Sequence, residues 1–144
     1  MVITFFKELS VATEIRKQML GDILIVDDDP DICEIMKEYC KEMGCFRNVL
    51  IANDGSAASN MLRNQKFVLI LLDLKMPKKA GLDLLKELDD KSLNRRKNVL
   101  VVSGNIDKTM FDKIVALGVK NFLPKPFDEA IFKEKILKIV TLAK

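Results

Sequence analysis

Apolar residues fall in two alternating patterns along this chain. Short unbroken runs occur at Ile23-Leu24-Ile25-Val26, Val68-Leu69-Ile70-Leu71-Leu72 and Val99-Leu100-Val101-Val102. Runs of that length, rich in Val, Ile and Leu, predict strands buried on both faces. Between them, apolar residues recur every three or four positions, the spacing of a helix with one buried stripe. Strands are predicted at roughly 22–27, 47–52, 68–72, 99–102 and 120–124.

Punctuation places the helices. Asp29 reads as an N-cap and Pro30 as the first helical residue. Ile32, Ile35, Met36, Tyr39 and Met43 line one face of that helix, and Gly44 stops it. The turn Asn53-Asp54-Gly55 opens a second helix to about Asn64, with Ala58, Met61 and Leu62 as core contacts. Gly81 precedes a short helix carrying Leu82, Leu85 and Leu88, and the polar stretch Asp89 to Lys97 reads as a loop. Asp107 caps a fourth helix with Met110, Phe111, Ile114, Val115 and Leu117 inward, closed by Gly118. The last helix, about 128–142, buries Ile131, Phe132, Ile136, Ile139 and Val140.

Five strands, each followed by a helix, carry the βαβ signature of a parallel sheet. Right-handed crossovers leave few ways to wind them. The common solution is an α/β fold with a doubly wound five-stranded sheet of order 2-1-3-4-5, flavodoxin-like. Such sheets deliver functional residues at the carboxyl ends of their strands. Here those ends carry Asp27-Asp28-Asp29, Asp73, Ser103 and Lys125. With strand 3 central, Asp73 lies between Asp27 and Asp28 on one side and Ser103 on the other, and Lys125 reaches in from strand 5.

Taken singly, each has a plainer use. Asp29 is the helix cap, Asp73 a strand-ending turn former, Ser103 a helix-start hydroxyl and Lys125 a solvated lysine. Asp27 and Asp28 differ, because two adjacent carboxylates closing an apolar strand repel and need a cation. Together, three carboxylates, a hydroxyl and an ammonium suit Mg²⁺ binding and phosphoryl transfer to an aspartate.

Composition narrows the setting. The chain has 144 residues, 49% apolar and 31% charged, enough for one domain with one good core. A net charge of +3 with scattered lysines gives no reason to expect nucleic acid as a partner. No apolar stretch reaches the ~18 residues of a membrane span, and no signal-peptide pattern opens the chain. Cys33, Cys40 and Cys45 lack C-x-x-C spacing and fit reduced thiols in the cytoplasm. The absence of histidine excludes a His-based triad or a phosphohistidine on this chain.

In this order and at these separations the residues resemble the receiver (response-regulator) domain of two-component signalling, of the stand-alone CheY-like type. The resemblance spans roughly Gly21 to Leu142. It rests on Leu24-Ile25-Val26-Asp27-Asp28-Asp29-Pro30, Asp54-Gly55, Leu72-Asp73-Leu74-Lys75-Met76-Pro77, Val102-Ser103-Gly104 and Pro124-Lys125-Pro126-Phe127. It implies that Asp73 is the nucleophile and phosphoacceptor. It implies that Asp28, Asp73 and the backbone carbonyl of Lys75 bind Mg²⁺ directly, and Asp27 through a water. Ser103 and Lys125 would meet the phosphoryl oxygens, and a cis Lys125-Pro126 bond would turn the lysine into the cleft. Phe122 would be the aromatic switch, turning inward as Ser103 moves and repacking the surface of helix 4, strand 5 and helix 5. Ala80 stands where an aspartate is often found, at an expected local cost of about 1 kcal/mol.

The partners so implied are a sensor histidine kinase or histidine phosphotransfer protein as donor, and an unknown target protein. The receiver would be a monomer or a phosphorylation-dependent dimer, would catalyse only its own phosphorylation and dephosphorylation, and would span residues 21–144 with no output domain. An alternative is a relay intermediate that passes the phosphate onward. The enzyme rival, a Mg²⁺-dependent phosphohydrolase of the haloacid dehalogenase type, resembles a D-x-D motif after a strand, and here Lys75 stands in place of the second acid. A receiver that only binds a partner would not need the complete set of acids, serine and lysine. Residues 1–20 form an extension in which Phe5, Leu9, Ala12, Ile15 and Met19 fall on one helical stripe, interrupted by Arg16. A helix capped by Thr4 and stopped by Gly21 is expected there.

Overall fold

The computed structural model describes residues 19–76 and 78–142. Strand and helix alternate as β1 (Ile23–Val26), α1 (Pro30–Met43), β2 (Val49–Ala52), α2 (Gly55–Asn64), β3 (Leu69–Leu72), α3 (Gly81–Glu87), β4 (Val99–Ser103), α4 (Lys108–Ala116), β5 (Asn121–Pro124) and α5 (Glu129–Leu142). The five strands are all parallel in the order β2-β1-β3-β4-β5, as the alternation predicts. Val26 is level with Ala52 and Leu72, and Ser103 with Pro124, so the strands end on one rim.

Side chains alternate across the sheet and build a core on each face. Ile23, Ile25, Leu69, Leu71, Leu100 and Val102 meet Met36 of α1 and Phe132 and Ile136 of α5. Leu24, Val26, Ile70, Leu72, Val99 and Val101 meet Ala58 of α2, Leu84 of α3 and Ile114 of α4. Phe132 has no exposed surface, and its truncation to alanine would cost about 3–5 kcal/mol.

The helix ends follow their residues. The Asp29 carboxylate accepts from the N–H groups of Asp31 and Ile32 at 3.0 and 3.4 Å, with Pro30 opening α1. Gly44 ends it at φ 68°, the left-handed region that glycine enters without strain. Asp54, Asp107 and Asp128 cap α2, α4 and α5 in the same way, each accepting at 2.8 Å from Ala57, Met110 and Ile131. Ala80 precedes α3 without a side-chain cap.

Three helix expectations need correction. In α4, Phe111 and Val115 are about half exposed, and only Ile114 is fully buried. In α5, Ile131 is likewise exposed, and Ile35 of α1 faces solvent beside its buried neighbour Met36. A helix lying on a sheet buries a stripe narrower than its apolar sequence allows, and these residues sit on the stripe's shoulders. The stretch read as a loop before β4 contains a 3₁₀ turn at Arg96–Asn98. Ahead of it, Asn94 is buried and fully used. Its carbonyl accepts from the Phe67 N–H at 2.7 Å, and its amide donates to the carbonyls of Leu62 and Gln65.

The expected N-terminal helix falls on residues outside those described, except Met19 and Leu20, which are not helical. Pro77 of the motif after Asp73 is also outside them. Among the described residues no helix is long and apolar enough to cross a membrane.

Candidate functional site

The strand ends converge as the topology requires. Asp27 follows β1 and Asp73 follows β3, and the Asp73 N–H bonds the Val26 carbonyl at 2.9 Å, so the two acids leave adjacent strands side by side. Asp27, Asp28 and Asp73 each place a carboxylate oxygen within 4.8 Å of the others. Asp27 is 1% and Asp73 7% exposed, whereas Asp28 is open to solvent.

Two further strand ends complete the cluster. Ser103, the last residue of β4, donates its hydroxyl to Asp73 Oδ1 at 2.9 Å. The Lys75 N–H approaches the same oxygen at 3.3 Å. Lys125, just past β5, bridges the acids, with Nζ 2.6 Å from Asp27 Oδ2 and 3.6 Å from Asp73 Oδ2. Its bond to Pro126 is cis, as the resemblance implies. Gly81 lies directly against this rim. A Cβ there would sit 2.6 Å from the Asp73 carbonyl oxygen, so a larger residue would push α3 off the site.

Burial and charge pull on these groups in opposite directions. Burial pushes the Asp27 carboxyl above its ordinary value. The Lys125 and Asp29 donors pull it back only in part, and the Asp73 charge adds to the rise. For Lys125, burial favours the neutral amine, but the hydrogen bond and charge of Asp27 and the charge of Asp73 outweigh it, so the ammonium titrates above its usual range. One ammonium against three carboxylates leaves the pocket short of positive charge. A hard divalent cation with oxygen ligands fits that deficit, and the carboxylates of Asp27, Asp28 and Asp73 are close enough together to suit Mg²⁺.

Asp27 is held on every side. Its N–H donates to the Ala52 carbonyl at 3.1 Å, and its Oδ1 accepts from the Asp29 N–H at 2.9 Å. Its carbonyl accepts from the Asn53 amide at 3.1 Å and from the Cys33 thiol at 3.3 Å. Sequence reasoning passed over both donors. In the sequence Asn53 reads as a turn residue and Cys33 only as a reduced thiol.

Phe122 is half-buried at the edge of the second core, with its ring 5.0 Å from that of Phe111. Beside Lys125, Ile32, Ile35, Tyr39, Pro126 and Phe127 line a mostly apolar cleft between α1 and the segment after β5, with Gly104 and Asn105 at its edge.

A family model for the response regulator receiver domain matches residues 23–137. The chain belongs to the response regulator receiver family. It is 33% identical over 117 residues to the chemotaxis protein CheY of Pseudomonas aeruginosa, covering 81% of this chain and 94% of that protein. It is 36% identical over 107 residues to the transcriptional regulatory protein MalR of Bacillus subtilis, covering 74% of this chain but only 45% of MalR. The receiver also resembles the solved response regulator receiver protein of Pseudomonas putida, with 30% identity and a TM-score of 0.70 over 85% of this chain and 96% of that one. Relatives of this receiver thus include both a chemotaxis protein and a transcriptional regulator.

Proposed function

We propose that this receiver takes a phosphoryl group onto Asp73 from a phosphohistidine on a sensor kinase or phosphotransfer protein, and that the modified form changes which partner it binds. The observation that carries the reading is the set of groups meeting on Asp73. Ser103 bonds one oxygen, Lys125 faces the other, and two more acids stand within ligand distance.

In the reaction, a carboxylate oxygen of Asp73 attacks phosphorus. A P–O bond forms, the P–N bond to the donor imidazole breaks, and the imidazole leaves with the electron pair and takes up a proton. Bound Mg²⁺ supplies positive charge to the carboxylates and to the phosphoryl oxygens. Lys125 is a compact charge already poised over Asp73 and suits a phosphoryl oxygen. Ser103 gives up its bond to Asp73 to donate to another oxygen. The space it leaves lets Phe122 turn inward, away from Phe111, and alters the face made by α4, β5 and α5. The apolar cleft beside Lys125 suits the partner helix that carries the phosphohistidine.

The receiver works in the cytoplasm in this reading and turns over no separate substrate. Intact mass after incubation with a small acyl phosphate and Mg²⁺ tests it. Wild type gains one alkali-labile phosphoryl group, and Asp73→Asn gains none. Steady turnover of a small phosphoester would instead favour a phosphohydrolase.

A further inference from the structure

We infer that Asn53, acting with Cys33, is a positioning residue for the acid pair. Together they fix the peptide joining Asp27 to Asp28 and so aim the Asp28 carboxylate at Asp73. The inference deepens the phosphoryl-acceptor reading and rests on it for the role of Asp28.

The oxygen of that peptide takes two side-chain donors from different elements. Asn53, in the turn after β2, donates its amide at 3.1 Å, and Cys33, on the first turn of α1, donates its thiol at 3.3 Å. The same Asn53 amide lies 3.6 Å from the Cys33 sulfur, so the three groups form one cluster. A peptide plane pinned at its oxygen cannot rotate freely. Its orientation sets where the next residue, Asp28, leaves the backbone.

That constraint has consequence because Asp28 has little else to hold it. Asp27 is buried and bonded at its N–H and both carboxylate oxygens. Asp28 is exposed, yet must present an oxygen within 4.8 Å of those of Asp27 and Asp73. Outer groups that orient a ligand commonly carry a large share of a metal site's affinity. Asn53 itself is exposed, so its removal leaves no cavity and leaves the core intact.

Two measurements on the whole chain decide the matter. One is Mg²⁺ affinity by NMR titration, and the other is exchange of the Asp29 amide in Mg²⁺-free protein, with the Met110 amide as a remote reference. Asn53→Ala is expected to weaken Mg²⁺ about fivefold, the scale of one net hydrogen bond. It should also speed Asp29 exchange while Met110 stays unchanged. Cys33→Val, which keeps the volume without the donor, should act in the same direction, and Cys33→Ser should retain wild-type affinity. Unchanged Asp29 exchange or unchanged Mg²⁺ affinity in Asn53→Ala overturns the inference. If the wild type itself takes no Mg²⁺, the metal reading falls and the Mg²⁺-free exchange alone decides the positioning role.

Discussion

Two buried aspartates bracket β1 and live in opposite surroundings. Asp22 precedes the strand and is 6% exposed. Burial pushes its carboxyl up, but hydrogen bonds from Arg47, Asn48 and Gln65 and the Arg47 charge outweigh that, and its pKa lies below the ordinary value. Arg47 and Asn48 each donate to one oxygen at 3.0 Å, and Gln65 donates to the other. Asp27 follows the strand, faces Asp73, and is raised by burial despite Lys125. The first acid is satisfied by three side-chain donors, one of them charged, so it ties the start of β1 to the residues before β2 and to the end of α2. The second stands in a cluster that its neighbours leave short of positive charge, a cluster suited to a cation. An acid whose donors satisfy it serves the fold, and one crowded by other acids is available for chemistry.

The largest effect should come from the site end. Asp73→Asn keeps the shape and removes the nucleophile, so phosphoryl mass gain from an acyl phosphate should vanish altogether. Labelling at the wild-type level would place the acceptor elsewhere.

Next in size is the metal. Too few carboxylates are present for a tight cage, so a Kd between micromolar and millimolar is expected. Asp28→Ala should weaken Mg²⁺ by on the order of 100-fold. Asp27→Ala should do so by on the order of 10-fold, the scale for a partner that acts through a water. Equal affinities for wild type and Asp28→Ala, measured by titration, would remove Asp28 from the ligand set.

At the other end, Asp22→Asn should lower unfolding free energy by about 1–2 kcal/mol, since three donors lose a charged acceptor. Asp27→Asn in Mg²⁺-free protein should cost less, because it also relieves repulsion from Asp73. The Asp22 effect should depend on pH in a fixed direction. Its folded pKa is depressed, so its stabilisation is fully present above the ordinary aspartate value of 3.8. It is lost as pH falls through the lower folded value. Urea midpoints of wild type and Asp22→Asn should therefore differ at pH 7 and converge under strong acid. A gap that persists there would mean that the charge of Asp22 is not what holds the strand.

The two ends were not equally legible in the sequence. Asp27, Asp73, Ser103 and Lys125 could be read because each closes an apolar run, and parallel pairing alone brings strand ends together. The caps Asp29 and Asp107 could be read because their partners lie within three residues. Asp22 gave no such signal, since its donors come from positions 47, 48 and 65, which only the folded sheet brings near. Arg96 was opaque for the same reason. It donates to the Leu85 carbonyl at 2.7 Å and to the Leu117 carbonyl at 3.3 Å, closing the ends of α3 and α4. The exposed Phe111 and Val115 were misread because helical period finds an apolar face but not how much of it a sheet can cover.

The smallest expected effect concerns how long the site holds its phosphate. Lys75 and Asn105 each lie two residues beyond a site residue, Asp73 and Ser103 respectively. Lys75 is exposed at the rim. Asn105 is also exposed and holds φ 51°, a left-handed conformation that asparagine tolerates better than most residues. Hydrolysis of an acyl phosphate needs a water in line with the breaking bond. A carboxamide can orient such a water, whereas a long lysine can fill its approach and lie against the phosphoryl oxygens as a charge partner. The two residues therefore pull in opposite directions. With Lys75 nearer the acceptor in the chain and charged, its effect should prevail, giving a phosphorylated form that lasts minutes or longer and suits a relay better than a fast switch. Lys75→Asn should then speed loss of the phosphoryl group severalfold at fixed Mg²⁺, followed by intact mass over time. An unchanged or slower rate would show that the lysine does not shield the bond, and that access of water is set from the Asn105 side.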